Sequence, residues 1–353
     1  MQFPKRTLRT MPSMKSATFV AVVILAGCGA RSGLGDGSPD ASTEPRDAQA
    51  TVDAHDAEVS CTPRGTTPVK LADIAGPITD SAAIALAGSN VYFVVTRPNA
   101  IASTLFSVPA AGGALTTHAT DVVCAGVESN GAYVGYSSTN GRFVALPLGG
   151  GAALSVETEG RAKCPMGTVG NQFLFAYESS CCVGNALWVP PGGVAIVPGS
   201  GFGLVFIDDN YVYGTFSNQK GTDWQLWRAP IGGWGQTTSL APVAPGSRML
   251  ALTTNEVVFG PATGPVFRVA KSGGDPIKVT DSIGSPRVVD DKAIYAVGIN
   301  SASATTLGRV GLGDGLVETL AKAKSGAIAA IGVDECNVAW IETDPPALMI
   351  RSK

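Results

Sequence analysis

The chain has 353 residues and a formal net charge of -3, and only 15% of its residues are charged. This balance excludes most nucleic-acid-binding proteins, because these need clustered Lys and Arg. The 44 Gly and 23 Pro are typical of a fold with many tight turns. The two histidines, His55 and His118, leave little room for catalysis or metal binding that depends on histidine.

The first 27 residues predict an export signal. A positive segment with Lys5, Arg6, Arg9 and Lys15 comes first. The apolar residues 17–25 follow, too few to span a membrane. The segment ends Leu25-Ala26-Gly27-Cys28, which resembles the bacterial lipobox. The resemblance implies cleavage before Cys28, a lipid on its thiol and an acylated amino terminus, as by palmitate. The alternative is an ordinary secretory signal with a chance cysteine.

Residues 28–60 predict a lipidated, disordered stalk. They are rich in Ala, Asp, Ser, Thr and Pro and have almost no large apolar side chain, so they cannot bury enough surface to fold. A coil of this length reaches about 30 Å. Gly29 is not the Asp that retains many enterobacterial lipoproteins in the inner membrane. We therefore expect the outer membrane, on its periplasmic or surface side.

Residues 61–353 repeat one phrase about every 40 residues, the period of a four-stranded propeller blade. Each copy has an apolar strand, an Asn or Asp turn, a second apolar strand, a loop, and a strand that ends in a Gly turn. The strands of the last kind begin at Leu105, Phe143, Leu187, Leu226, Val266 and Leu307. The second strands contain Tyr92, Tyr133, Leu174, Tyr213, Val258, Tyr295 and Ala339. Seven second strands predict an all-β, seven-bladed propeller with four-stranded antiparallel blades.

The seventh blade lacks a fourth strand, because the chain stops after the third, residues 348–351. Residues 67–71 lie before blade 1 without a partner and are similar to the outer-strand phrase of residues 277–280. We therefore predict that this N-terminal strand closes the ring. The repeat resembles bacterial TolB-type and YWTD-like propellers over residues 67–353. The resemblance implies binding to proteins or small ligands.

Several motifs have a structural and a functional interpretation. Glycine clusters at residues 199–203 and 311–315 are interpreted as turns, because no helix follows to hold a phosphate. Asp208 and Asp290 are interpreted as turn caps rather than calcium ligands. His55 lies in the stalk, and His118 on an outer strand far from the channel. Candidate acids at the channel mouth are Glu128 and Glu178, each expected to be an exposed strand-end charge. Among the tryptophans, Trp188 and Trp227 fit the core phrase, and Trp224 and Trp234 are loop candidates for stacking a sugar.

Six cysteines besides Cys28 predict disulfides in an exported protein. The strand directions place Cys61 and Cys336 on one face of blade 7, so we predict that they pair. Cys124, Cys164, Cys181 and Cys182 share the opposite face. We favour bonds from Cys124 and Cys164 to one each of Cys181 and Cys182. The alternatives are a Cys124–Cys164 bond beside a vicinal bridge, and buried free thiols.

The sequence predicts no catalytic residue, metal ligand or cofactor, and no nucleic-acid partner. The function expected is that of a membrane-anchored lipoprotein whose non-catalytic propeller binds an unidentified protein or glycan ligand. The alternatives are a propeller enzyme, a lyase or glycan hydrolase acting at the channel mouth, and the scaffold of an outer-membrane complex.

Overall fold

The computed structural model describes most of the chain from Gly65 onward. The described residues are 65–79, 82–123, 126–157, 161–169, 171–178, 183–188, 190–192, 194–197, 206–208, 210–217, 223–231, 236–261, 264–301 and 303–353. Their strands form seven four-stranded antiparallel sheets, which are the blades. The predicted all-β propeller is confirmed, and the seven sheets of the described residues are consistent with the predicted seven blades.

Six blades are continuous along the chain. Blades 1 to 3 consist of β2 Ala82–Ala87, β3 Asn90–Val95, β4 Ser103–Pro109 and β5 Thr116–Val122; β6 Glu128–Ser129, β7 Tyr133–Ser137, β8 Phe143–Pro147 and β9 Leu154–Val156; and β10 Arg161–Val169, β11 Gln172–Glu178, β12 Val183–Trp188 and β13 Val194–Val197. Blades 4 to 6 consist of β14 Phe206–Ile207, β15 Tyr211–Ser217, β16 Trp224–Pro230 and β17 Thr238–Pro242; β18 Arg248–Leu252, β19 Glu256–Gly260, β20 Gly264–Ala270 and β21 Ile277–Ile283; and β22 Arg287–Val289, β23 Ala293–Val297, β24 Thr306–Gly311 and β25 Val317–Lys322.

Blade 7 joins the two ends of the described chain. It contains β26 Ile328–Val333, β27 Asn337–Thr343 and β28 Pro346–Ser352, and its fourth strand is β1 Val69–Asp73. Strand β1 pairs antiparallel with β28, with Val69 opposite Ile350. The predicted closure by an N-terminal strand is confirmed.

The core lies between the blades, because both faces of each sheet pack against a neighbour. Seven hydrophobic clusters of described residues occupy the seven blade boundaries. Phe143 and Phe173 meet between blades 2 and 3, with ring centroids 5.4 Å apart. Trp340, fully buried, packs with residues of blade 6. These clusters explain why the second and third strands read as nearly continuous apolar runs.

The ring has two faces with different loops. The first strands of neighbouring blades contact each other and surround the central channel. The links between blades and the second-to-third loops lie on one face, called the linker face. The first-to-second and third-to-fourth turns lie on the other, called the hairpin face. Each inner strand therefore begins at the linker-face mouth of the channel.

Candidate functional site at the linker-face mouth of the channel

Two arginines are the first residues of neighbouring inner strands at this mouth. Arg248 is the first residue of β18 in blade 5, and Arg287 is the first residue of β22 in blade 6. Arg248 is exposed and Arg287 is partly buried. Burial lowers the pKa of Arg287, and the positive charge of Arg248 lowers it further. The two positive charges on neighbouring inner strands therefore repel each other.

A carboxyl group occupies the corresponding place in blade 2. Glu128 is the first residue of β6 and lies opposite Gly135, as Arg287 lies opposite Ala296. It is partly buried, and burial raises the pKa of its carboxyl to about 7. The expectation of an exposed strand-end charge is wrong for Glu128. The inner strands surround it, so water solvates its charge poorly.

A small cavity lies between blades 5 and 6 on the linker face. Its volume is about 300 Å³, and its lining includes Ser282, Ser285, Ser301 and Ser303. The backbone N–H of Val297, which also lines the cavity, donates to the carbonyl of Pro286 at 3.2 Å. The cavity therefore directly adjoins the residue before Arg287. Its serine hydroxyls make it polar.

The hairpin face holds its charges in pairs. In blade 4, Asp208 Oδ1 accepts the backbone N–H of Asn210 and of Tyr211, which confirms the predicted turn cap. Its Oδ2 accepts the Tyr213 hydroxyl and the Lys271 ammonium of blade 5, each at 2.9 Å. Burial acts to raise the pKa of Asp208, but these hydrogen bonds outweigh it and hold the pKa below its ordinary value. We call this arrangement the blade 4–5 latch.

The same arrangement joins blades 6 and 7. Asp290 Oδ1 caps its turn by accepting the N–H of Lys292 and of Ala293, both at 2.8 Å, and its Oδ2 accepts the Lys353 ammonium. The Lys353 nitrogen lies 5.0 Å from the centre of the Tyr295 ring. In both latches the lysine follows the aspartate by 63 positions, which is about one and a half repeats. We call this second arrangement the blade 6–7 latch.

A larger groove, of about 1380 Å³, lies on the hairpin face beside the blade 6–7 latch. Many of its charged side chains already have partners. Besides the latch, Arg309 pairs with Glu318 at 2.7 Å, and Asp334 accepts the backbone N–H of Asn337 at 2.6 Å. These groups stabilise turns and blade contacts. The channel mouth is therefore the better candidate site, although its cavity is smaller.

The other residues singled out in the sequence lie apart from this mouth. His118 is on the outer strand β5, where its Nε2 lies 2.8 Å from Ser107 Oγ. Trp188 and Trp227 are buried, as predicted. The prediction of a loop position for Trp224 is wrong, because it begins β16 opposite Ser217. Glu178 ends β11, but its side chain lies outside the described residues, as do His55 and Trp234.

Most of the predicted lipid and disulfide sites lie outside the described residues. These are Cys28, Cys61, Cys124, Cys181 and Cys182, and for Cys164 only the strand that contains it, β10, is described. Cys336 lies in the first turn of blade 7 and is bonded in a disulfide. Its carbonyl accepts the N–H of Lys353, and Gly65 accepts the N–H of Ser352. The chain four residues after Cys61 therefore runs close to Cys336.

Within the ranges given above, no three His, Cys, Asp or Glu side chains are grouped so that they could hold a metal ion. Nor do these ranges contain a helix long and apolar enough to cross a membrane. Sequence reasoning missed Arg248 and Arg287, although each begins an apolar inner strand and the two lie about one repeat apart.

No family model and no curated protein matches the sequence. Solved structures do match it. An oligogalacturonate lyase in complex with manganese is 10% identical, with a TM-score of 0.56, over 81% of this chain and 97% of its own. Virginiamycin B lyase from Staphylococcus aureus is 13% identical, with a TM-score of 0.53, over 81% of this chain and 98% of its own. The WD40 β-propeller domain of Doa1 is 10% identical, with a TM-score of 0.52, over 81% of this chain and 97% of its own. At such low identities the shared feature is the fold, and this chain is a β-propeller.

Proposed function

We propose that this chain is an exported lipoprotein, anchored by a lipid on Cys28, whose propeller binds a ligand or partner at the linker-face mouth without transforming it. The observation that carries the binding role is the placement of charge. The described latches of the hairpin face pair their charges, whereas the mouth brings together Arg248 and Arg287 and surrounds Glu128 with protein. Charges that destabilise a fold are typical of binding and active sites.

The anchor is tested by Cys28→Ser. Without the thiol no diacylglycerol can be attached, so the protein should leave the membrane fraction and keep its signal segment. Ser32→Ala, outside the lipobox, is the control and should fractionate like the wild type. Membrane association and a mature mass that Cys28→Ser leaves unchanged would contradict the anchor. Separation of the two membranes of wild-type cells tests the expected outer-membrane location.

The binding face is tested by placing a photo-crosslinking amino acid at Ser285 or at Leu316. Ser285 is exposed beside the mouth on the linker face, and Leu316 is 70% exposed on the hairpin face. We expect crosslinked products in intact cells from position 285 and none from position 316. The reverse pattern would contradict binding at the mouth. A crosslinked protein in a large assembly would favour the scaffold alternative, and a glycan would favour a ligand-binding propeller.

The same proposal includes a Cys61–Cys336 disulfide that fastens the ring closure. It is supported by the disulfide state of Cys336 and by the bond from Ser352 N–H to Gly65, four residues after Cys61. Non-reducing peptide mapping should recover the peptide that contains Cys61 linked to the peptide that contains Cys336. A link from Cys336 to any of Cys124, Cys164, Cys181 or Cys182 would contradict it. The same map tests the pairing proposed among those four.

A propeller enzyme is the second candidate, and one observation favours it. A carboxyl group with a pKa of about 7 suits proton transfer near neutral pH, and Glu128 lies at the mouth. Two of the proteins with a similar fold are described as lyases. Once a ligand is identified by crosslinking, incubation with wild-type protein and with Glu128→Gln separates the two functions. Turnover that only the wild type shows would favour the enzyme, and an unchanged ligand would favour the binding protein.

A further inference from the structure

The large apolar side chains that the described residues expose to solvent are concentrated on the hairpin face. Eight such side chains are exposed, and six of them begin an outer strand or lie in the turn before one. These six are Val69, Leu115, Ile231, Ile277, Leu316 and Val317. The other two, Ile101 and Val123, lie on the linker face. Single exposed apolar residues are common, but six that share one face indicate a contact surface.

The six residues form an arc along the outer edge of the hairpin face, which we call the apolar arc. They belong to blades 1, 4, 5, 6 and 7, which are consecutive around the ring because blade 7 packs against blade 1. Most are separated from the next by the width of a blade. Apolar groups spaced in this way do not make the continuous packed core of a protein interface, whereas a lipid surface can accept each of them singly.

The chain enters the propeller at the same face. Gly65, the first described residue, accepts the backbone N–H of Ser352 at the hairpin-face end of β28. Val69 of the apolar arc follows as the first residue of β1. The predicted stalk therefore joins the propeller beside the arc. A coil of its length reaches about 30 Å, so the proposed lipid on Cys28 would keep this face close to the membrane, where weak contacts suffice.

The two latches lower the cost of bringing this face to a membrane. Asp208 binds Lys271 at 2.9 Å, and Asp290 binds Lys353. Each latch therefore presents a paired charge to the lipid headgroups, and a paired charge costs less to remove from water than a single one.

We infer that the apolar arc contacts the surface of the membrane that holds the lipid anchor, so that the hairpin face lies toward the bilayer and the channel mouth opens away from it. This inference rests on the proposed anchor and names the part of the propeller that the anchor brings to the membrane. The mouth is then accessible to a ligand from the aqueous side.

The test uses the full-length lipidated protein in phosphatidylcholine vesicles, with and without bromine on the acyl chains. A fluorescent amino acid is placed at Ile277 in the apolar arc, or at Ile101, the matched isoleucine on the linker face. Brominated chains quench only a fluorophore that reaches the bilayer. We expect quenching at position 277 to be about five-fold stronger than at position 101, because only the arc is buried in the interface.

A double variant tests whether the arc itself makes the contact. Leu316→Ser with Val317→Ser removes two of its six apolar side chains, and both are exposed, so the fold should be unaffected. Quenching at position 277 should fall by about half, because binding to the interface scales with the apolar area buried. Ile101→Ser is the control and should leave quenching at position 277 unchanged.

Flotation of the vesicles separates this inference from the anchor. If the wild-type protein does not float, both the anchor and the contact are rejected. If it floats and positions 277 and 101 are quenched alike, only the contact is rejected. A blue-shifted emission at position 277 without quenching would show that a second copy or another protein covers the arc, which would also overturn the inference. A lipid adduct is too small to shift a protein band, so position 316 keeps its role in the crosslinking of partners.

Discussion

The charges of the two hairpin-face latches and those at the linker-face mouth of the channel differ in how the fold stabilises them. On the hairpin face, Asp208 and Asp290 each cap a turn and also bind a lysine of the next blade, which lowers the pKa of the carboxyl in spite of burial. On the linker face, Arg287 has its pKa lowered by burial and by another arginine, and Glu128 has its pKa raised by burial. The latch groups stabilise the fold, whereas Arg287 and Glu128 at the mouth reduce its stability. The difference indicates which charges serve folding and which serve another role.

Both faces depend on a closed ring, so we expect the largest effect from deleting β1, residues 69–73. The deletion exposes the backbone edge of β28 and removes Leu71, which is 6% exposed in the core between blades 7 and 1. Thermal unfolding should lose its single cooperative transition, and light scattering should show aggregation. Deleting residues 40–44 of the stalk is the length-matched control. A wild-type melting curve for the β1 deletion would show that the ring closes without this strand.

The latches should supply the next largest effect. Lys353→Met leaves Asp290 without its ammonium partner, where the two side chains are only 13% and 23% exposed. We expect the free energy of unfolding to fall by about 2 kcal/mol, because breaking a buried pair strands a charge. Lys271→Met should behave alike, with its pair to Asp208 at 20% and 25% exposure.

The control for the latches is Lys70→Met. Its pair with Asp73 is 53% and 73% exposed, so the loss should stay below about 0.5 kcal/mol. Urea unfolding at pH 7 measures all three variants. If all three variants lost the same free energy of unfolding, burial would not make the latch pairs more stabilising than an exposed pair. The proposed difference between the latches and the mouth would then be contradicted.

Opposite pH dependences should distinguish the faces further. The pKa of Glu128 rises from 4.5 to about 7, so the folded chain keeps a proton that the unfolded chain has lost between these values. The contribution of Glu128 to the free energy of unfolding is therefore present below pH 4.5 and is lost as the pH rises to 7. After allowance for contact with water, the loss is on the order of 2 kcal/mol. The lowered pKa values of Asp208 and Asp290 act with the other sign. Their contribution is present above the ordinary aspartate range and lost as pH falls through the lowered pKa.

Glu128→Gln tests this dependence in urea unfolding from pH 3 to pH 8. In the variant, the free energy of unfolding should no longer fall between pH 4.5 and 7. Its fall at acid pH, which comes from the aspartates, should remain. Glu157→Gln, at an exposed ion pair whose glutamate is 68% exposed, is the matched control. If the free energy of unfolding of Glu128→Gln changed with pH as it does in the wild type, the pKa of Glu128 would not be raised by burial.

The smallest effect is expected from Arg248→Ala. Removing one of two like charges should leave the free energy of unfolding within about 0.5 kcal/mol of the wild type, on the stabilising side. The gain should shrink at high salt, because salt screens the repulsion that the variant removes. A loss above about 1 kcal/mol would show that Arg248 serves the fold and that the mouth resembles the hairpin face.

Much of the architecture could be predicted because each blade carries its own local signals. The aromatic third strands, the Asx turns and the unpartnered strand before blade 1 each have a counterpart in the structure. The Asp208 and Asp290 caps could be predicted too, since a cap is a contact within three residues. Their second role, as partners of Lys271 and Lys353, depends on how neighbouring blades pack, which no local pattern encodes. The resemblance to TolB-type and YWTD-like repeats stays a prediction.

The sequence by itself determined the period, the strand order, the number of blades and the closing strand, because apolar alternation and turn residues act over a few positions of chain. Only the tertiary structure decided which side chains share a mouth or a latch. The charge of Arg248 acts on Arg287 because two inner strands lie side by side around the channel. The carboxyl of Glu128 is desolvated because neighbouring parts of the ring bury it. Solvation and charge proximity are properties of the closed ring, so they are absent from each repeat taken alone.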